Sequence, residues 1–162
     1  MALDAVMLAV DAKGNREIPA GRLFTGPGKT TLRDGELLTA IFIPAMANRA
    51  GSSFQRCTRS AMDIAVVNCA GFVRLDENES VIDVRIALGA VGPTPLRAVS
   101  AENHLKGQRL TSAIIVEAAA LAADDAKPID DVRAGANYRK EMVRVLTQRA
   151  LNNAFQRARR AI

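Results

Sequence analysis

The hydrophobic period of this chain changes once, at Gly89. Before it, apolar residues alternate with polar ones or run in short blocks bounded by turn residues; after it they recur at three- and four-residue intervals. Val81 to Leu88 alternates, with Val81, Asp83, Arg85 and Ala87 set against Ile82, Val84, Ile86 and Leu88. Ile64 to Leu75 is the longest strand candidate, and Asp76-Glu77-Asn78-Glu79 joins the two as a hairpin. Ser53 to Thr58 is a third, shorter candidate. Short connections make these an antiparallel meander. Beyond the stiff connector Gly92-Pro93-Thr94-Pro95, Ser100 caps a short helix through Leu105, which Gly107 terminates. Thr111 or Ser112 caps an alanine-rich helix to about Asp125, and Pro128 breaks it. The last helix starts near Ala134, with Tyr138, Met142, Val145, Leu146, Ala150, Ala154 and Ala158 as its apolar stripe and the arginines largely on other faces. Strands followed by helices predict an α+β fold: a three-stranded antiparallel sheet packed against a helical bundle.

A smaller β-rich segment precedes this unit. Leu3 to Val10 alternates as a strand, Asp11 to Asn15 is a turn, and Arg16 to Ile18 returns. A glycine-containing loop follows, then "ELLTAIFIP", an apolar strand stopped by Pro44. Ala45 to Gly51 is small and polar and reads as a loop, which places a boundary between residues 1–44 and 45–162.

"GPGKTTL" invites comparison with a nucleotide-binding loop. Such a loop needs a glycine five residues before Gly28, and that position is Leu23. A polar turn, Thr31 to Gly35, follows where a helix should open. The segment therefore reads as a connector.

Charge is concentrated at one end. Between Arg133 and Ile162 eight cationic side chains face one anion, Glu141, so this segment carries +7 of a net +5 and the remainder −2. A nucleic-acid footprint is one reading of such a segment, and a solvated or partner-facing helix surface is the other. Only six aromatic residues occur and none is set in a base-stacking motif, which favours the second reading and no nucleic-acid partner. No apolar run reaches the roughly 20 residues that span a bilayer, and the first residues lack the basic start of a signal peptide, so a cytoplasmic protein without a membrane span is expected.

Spacing alone supplies no catalytic constellation. Cys57 and Cys69 form no C-x-x-C pair and read as small core residues, and the single histidine, His104, reads as a helix-end residue. Metal ligation within the chain is therefore not expected. Asp63 suits a cap on backbone N–H groups or a pair with Arg56 or Arg59, and Asp130 and Asp131 suit a helix N-terminus.

Four stretches occur in order: "PGKTTLRDGELLTAIFIP", "SSFQRCTRSAMDIAVVNCAGFVRL", "VRIALGAVGPTPLRAVSAENHLKG" and "PIDDVRAGANYRKEMVRVLTQRALNNA". Together they resemble the C-terminal part of the FAD-binding, or medium, subunit of the molybdenum hydroxylases, the family of carbon monoxide dehydrogenase and xanthine dehydrogenase. "MDIAVV" and "RIALGAVGPTPLRA" carry most of the specificity. The resemblance implies that residues 1–44 are the tail of a second FAD-binding lobe and 45–162 the C-terminal domain. It implies FAD as cofactor, shared with an N-terminal FAD-binding half, because the family's glycine-rich diphosphate loops do not occur in this sequence. Leu37 matches a family position packing beside the flavin. Gln55 matches a position where some members place a lysine near the ring; glutamine keeps the hydrogen bonding and drops the charge. The implied partners are an iron–sulfur small subunit with 2Fe–2S clusters and a molybdopterin large subunit carrying the molybdenum cofactor. In that assembly electrons pass through FAD to an external acceptor, and this chain by itself is inactive. The other reading is a stand-alone interaction module of the same fold with no flavin.

Overall fold

The computed structural model describes residues 1–161. Among these residues nine strands and four helices follow one another in three groups. The first group is β1 (Val6–Asp11), β2 (Gly14–Pro19), the single turn α1 (Ala20–Leu23), the short pair β3 (Phe24–Gly26) and β4 (Lys29–Thr30), and β5 (Leu37–Phe42). The second is β6 (Ala50–Cys57), β7 (Val67–Leu75), β8 (Val81–Gly89) and the two-residue β9 (Leu96–Arg97). The third is α2 (Val99–Leu105), α3 (Ser112–Asp125) and α4 (Ala136–Arg160).

All pairings are antiparallel. A small sheet runs β2-β1-β5 and a large one β6-β7-β8-β9, with β3 and β4 forming a separate hairpin. The α+β architecture expected from the change of period is present, with β9 as an added edge too short to carry an alternation. The hairpin β3–β4 occupies the glycine-containing stretch Gly26–Thr30, so no helix opens there to receive a phosphate.

One face of the large sheet is covered by helix. Gly51 and Gly71 make that possible: a Cβ on Gly51 would lie 2.2 Å from the carbonyl oxygen of Ala154, and one on Gly71 would lie 3.3 Å from the carbonyl carbon of Ala150. The alanines of α4 meet glycines of β6 and β7, and the two backbones close on each other. The large core includes Val67, Val73, Val84, Ile86, Leu88, Leu105, Val143 and Leu151. The small sheet has its own cluster, Ala9, Ile18 and Leu23, with Met7 and Leu32 against it.

Two local readings are corrected and one is settled. Ser100 does not cap α2; the cap position is Ala98, and Ser100 instead bonds Asp125 at the end of α3 through its backbone N–H (2.9 Å) and hydroxyl (2.7 Å). Thr111 is the cap of α3 and accepts from Ile114 N–H at 3.3 Å. The stripe of α4 begins one residue later than periodicity placed it: Arg139 and Val143 are buried, whereas Tyr138 is 52% exposed. An arginine could not be read as a core residue because two of its partners, Val66 and Ala90, come from distant loops.

Candidate functional site

The two candidate cofactor-contacting residues stand on different sheets. Leu37 opens β5 opposite Val10 and is 71% exposed. The turn before it is fixed by Glu36, whose carboxylate accepts from Arg16 Nε (2.6 Å) and Nη2 (2.7 Å) and from Arg33 N–H (2.7 Å). Arg16 Nη2 also donates to the Thr31 carbonyl oxygen at 2.8 Å. The Arg16 guanidinium, with the Arg33 amide, holds the Glu36 carboxyl down to about 2. Gly35 makes the turn with φ +83.

Gln55 lies in β6 opposite Cys69, on the side of the sheet that faces α4, and is half-buried. Its amide nitrogen donates to the Ser53 hydroxyl at 3.1 Å. Leu37 thus belongs to the small sheet and Gln55 to the large one. Their fit to a flavin is limited to an apolar side chain and one amide; no glycine-rich anion cradle accompanies them.

The feature that sequence reasoning missed is the exposure of the strand that carries Leu37. β5 is the edge of the small sheet and every one of its residues is exposed. A bulge at Thr39 shifts the register between Leu8 and Ala9. Leu38 and Ile41 then share a face with Ala9 and Met7, while Leu37 and Phe42 lie on the other. Leu37, Leu38, Ile41 and Phe42 are 71%, 43%, 63% and 66% exposed, so both faces are apolar and bare. Ile43 and Met46 extend the surface. The apolar run "LLTAIFI" was visible as a strand, but its lack of cover appears only when the fold fails to bury it.

A second cluster ties three loops together. Arg139, at the start of α4, donates Nη1 to the carbonyl oxygens of Val66 (2.7 Å) and Ala90 (2.9 Å) and Nη2 to Asp131 Oδ1 (2.7 Å). Asp131 also accepts from the N–H groups of Arg133 and Ala134, and these bonds together hold its carboxyl down to about 2. Asp130 accepts from Ala136 N–H at 2.6 Å, so both aspartates serve the helix entry as expected. Asp63 pairs with Arg59 at 2.8 Å and accepts from Ile64 N–H.

The basic terminus is partly spent inside the molecule. Besides Arg139, Arg144 pairs with Glu141, Arg159 pairs with Glu79 at 2.7 Å, and Arg157 donates to the Ser52 carbonyl oxygen at 2.6 Å. His104 Nε2 lies 3.1 Å from Glu117 Oε2, in the last turn of α2. Both cysteines are free thiols; Cys69 is buried beside Thr147, and burial pushes its thiol up to about 11. Among the described residues no three His, Cys, Asp or Glu side chains gather where a metal ion could be held, and no helix is long and apolar enough to cross a membrane.

Comparison with known proteins matches residues 52–154 to the CO dehydrogenase flavoprotein C-terminal domain and residues 1–46 to the FAD binding domain in molybdopterin dehydrogenase. Similar curated proteins include the 6-hydroxypseudooxynicotine dehydrogenase complex subunit alpha of Paenarthrobacter nicotinovorans, 32% identical over 98% of this chain and 54% of the relative. The carbon monoxide dehydrogenase medium chain of Hydrogenophaga pseudoflava is 32% identical over 97% of this chain and 54% of the relative. The solved carbon monoxide dehydrogenase from Hydrogenophaga pseudoflava superposes with a TM-score of 0.90 at 33% identity, covering 96% of this chain and 54% of that one. Quinoline 2-oxidoreductase from Pseudomonas putida 86 gives 0.87 at 29% identity, covering 96% of this chain and 54% of that one. The chain spans about half the length of the curated relatives it matches.

Proposed function

Because this chain belongs to the CO dehydrogenase flavoprotein C-terminal domain family, we propose that it is the C-terminal portion of the flavoprotein subunit of a molybdenum-containing hydroxylase. Residues 1–44 are then the tail of the second FAD-binding lobe and 45–162 the C-terminal domain. The observation that carries this reading is β5, an edge strand with apolar side chains bare on both faces. Such a strand needs cover on two sides and a neighbour on its free edge. In this reading an N-terminal FAD-binding half would supply both.

Within that assembly the cofactor would be FAD, which relays electrons from the 2Fe–2S clusters of a small subunit to an external acceptor. A molybdopterin large subunit would hydroxylate the substrate. The role of this chain is to bind and shape. Leu37 offers an apolar contact, positioned by the Glu36–Arg16 pair. Gln55 offers a neutral amide, once it gives up Ser53. One apolar contact contributes about 1.5–3 kcal/mol and one neutral hydrogen bond about 0.5–1.5 kcal/mol. Their sum falls short of the roughly 8 kcal/mol of micromolar binding. Retention of FAD therefore needs the N-terminal half.

The test is flavin absorbance after desalting, for this chain alone and for the chain co-expressed with an N-terminal FAD-binding half. The expected result is a colourless chain and a yellow mixture. Stoichiometric FAD on the chain alone would show that the binding determinants lie elsewhere in it. A soluble, paired but colourless mixture would favour the stand-alone interaction module.

A further inference from the structure

β6 is one edge of the large sheet and runs for eight residues, whereas β9 at the other edge has two. Its backbone groups fall on two sides. The Ser52 carbonyl oxygen accepts from Arg157 Nη1 at 2.6 Å, away from β7. The Arg49 and Cys57 carbonyl oxygens accept from Leu75 and Val66 N–H on the β7 side. In an antiparallel ladder the N–H and C=O of one residue share a side, and successive residues alternate. Ser52, Phe54 and Arg56 therefore turn their backbone outward, and Ser53, Gln55 and Cys57 turn theirs to β7.

The outward row is only partly closed. Arg157 occupies the Ser52 carbonyl oxygen. Among the described residues no side chain or loop bonds the N–H and C=O groups of Phe54 and Arg56. Such groups demand partners, and an incoming strand supplies them in register. A nucleic acid has no matching ladder to offer.

The side chains along this edge decide what kind of strand fits. Gly51 gives its bare side to Ala154, so Ser53 and Gln55 face α4 while Phe54 and Arg56 face the other way. Phe54 stands in register with Ala70 and is 61% exposed. Arg157 reaches the edge from α4 and is exposed. Arg56 is exposed as well, and its guanidinium donates to the Ala61 carbonyl oxygen at 3.3 Å. Neither guanidinium meets a carboxylate among the described residues. Paired with a second copy of itself, the edge would set these arginines against their like, which is destabilising.

We propose that the β6 edge receives an extended acidic segment of a partner protein, which adds a strand beside Phe54 and Arg56. Backbone hydrogen bonds hold the segment and side chains select it. On the α4 side its carboxylates meet Arg157, and on the other face an apolar side chain lies against Phe54. The segment that fits thus alternates acidic with apolar residues, and its charge speeds the encounter with the arginines. The site does not rest on the flavin reading, because every group in it belongs to this chain.

Amide hydrogen exchange tests it, with a peptide of alternating glutamate and valine as the probe and one of alternating lysine and valine as the control. The chain is measured alone and paired with an N-terminal FAD-binding half. The glutamate peptide at about 1 mM should slow exchange at the Phe54 and Arg56 amides. The Gln55 and Cys57 amides, already bonded to β7, should not change. The effect should weaken as sodium chloride is raised. Arg157→Gln should weaken binding about tenfold through the loss of one charge-assisted bond. Phe54→Pro should abolish binding by removing an outward N–H at an edge, where proline is tolerated. Arg157→Gln changes an exposed side chain and keeps the test available if Phe54→Pro fails to fold. Equal protection by the lysine peptide, or none by the glutamate peptide, overturns the proposal. So does protection of Phe54 and Arg56 before any peptide is added, which would give the edge to a second copy in the chain alone or to the N-terminal half in the paired sample.

Discussion

Arg139 Nη1 donates to the carbonyl oxygen of Val66 across 73 positions of sequence, at 2.7 Å. The bond brings an ion into the apolar stripe of α4, where the arginine is 4% exposed. With Ala90 and Asp131 also on the guanidinium, one side chain fixes how the segments before β7, after β8 and before α4 meet.

Arg139→Met should therefore cost about 3–5 kcal/mol, the range for removing one partner of a buried ionic network. Three carbonyl groups, of Val66, Ala90 and Ala134, and a carboxylate lose their donor while the methionine fills most of the space. Arg139→Lys should recover only part, because an ammonium cannot fork to the same groups. Urea midpoints at constant slope give the comparison.

Two carboxyls set an acid limit on stability. Glu36 is lowered from 4.5 to about 2 by Arg16 and the Arg33 amide, and Asp131 from 3.8 to about 2 by the Arg133 and Ala134 amides and Arg139. A depressed pKa contributes stability above the unfolded value and loses it as pH falls through the folded one. Stability should be flat above pH 4.5 and decline towards pH 2. Glu36→Gln should flatten the decline for the small sheet, and Asp131→Asn for the large one, when amide protection is followed in each sheet separately.

Gly51→Ala should be strongly destabilising despite adding one methyl group. The new carbon would meet the Ala154 carbonyl oxygen at 2.2 Å and the Ala158 nitrogen at 2.5 Å, and backbone cannot turn aside as a side chain can. Overpacking of this kind costs about 1–3 kcal/mol or more. Gly28→Ala gives the contrast, since a Cβ there meets nothing within 4 Å and only the positive φ of +66 opposes it. Thermal midpoints of the two variants should separate clearly.

The thiols should react apart. Cys57 is half-buried, whereas Cys69 is 0% exposed with its thiol pushed up to about 11. A thiolate reagent at neutral pH should modify one cysteine per native chain and two after unfolding. Cys57→Ser should abolish the native reaction.

The sequence carried the order of elements, because period is a local property. The alternation of Val81 to Leu88 and the alanine run after Thr111 needed no distant partner to be read. Arg139 was assigned to the wrong face, since nothing local distinguishes a guanidinium that will find Val66 and Ala90 from one that will find water. The bulge at Thr39 was equally hidden: one unpaired residue leaves no mark on a strand whose residues are nearly all apolar. Leu37 and Gln55 came from family resemblance alone, and their separation onto two sheets is a matter of tertiary placement that no spacing encodes.

The contact of Arg157 with the Ser52 carbonyl oxygen spans 105 positions. It closes α4 over β6, so a ribosome that has delivered β6 must deliver about a hundred further residues before that strand receives its cover. Through that interval the glycine-lined face of β6 and β7 is open to every neighbouring nascent chain. Long sequence separation of this kind slows folding and prolongs exposure of unpaired strands. Synthesis of this fold thus places its heaviest demand on chaperones just before the last helix emerges.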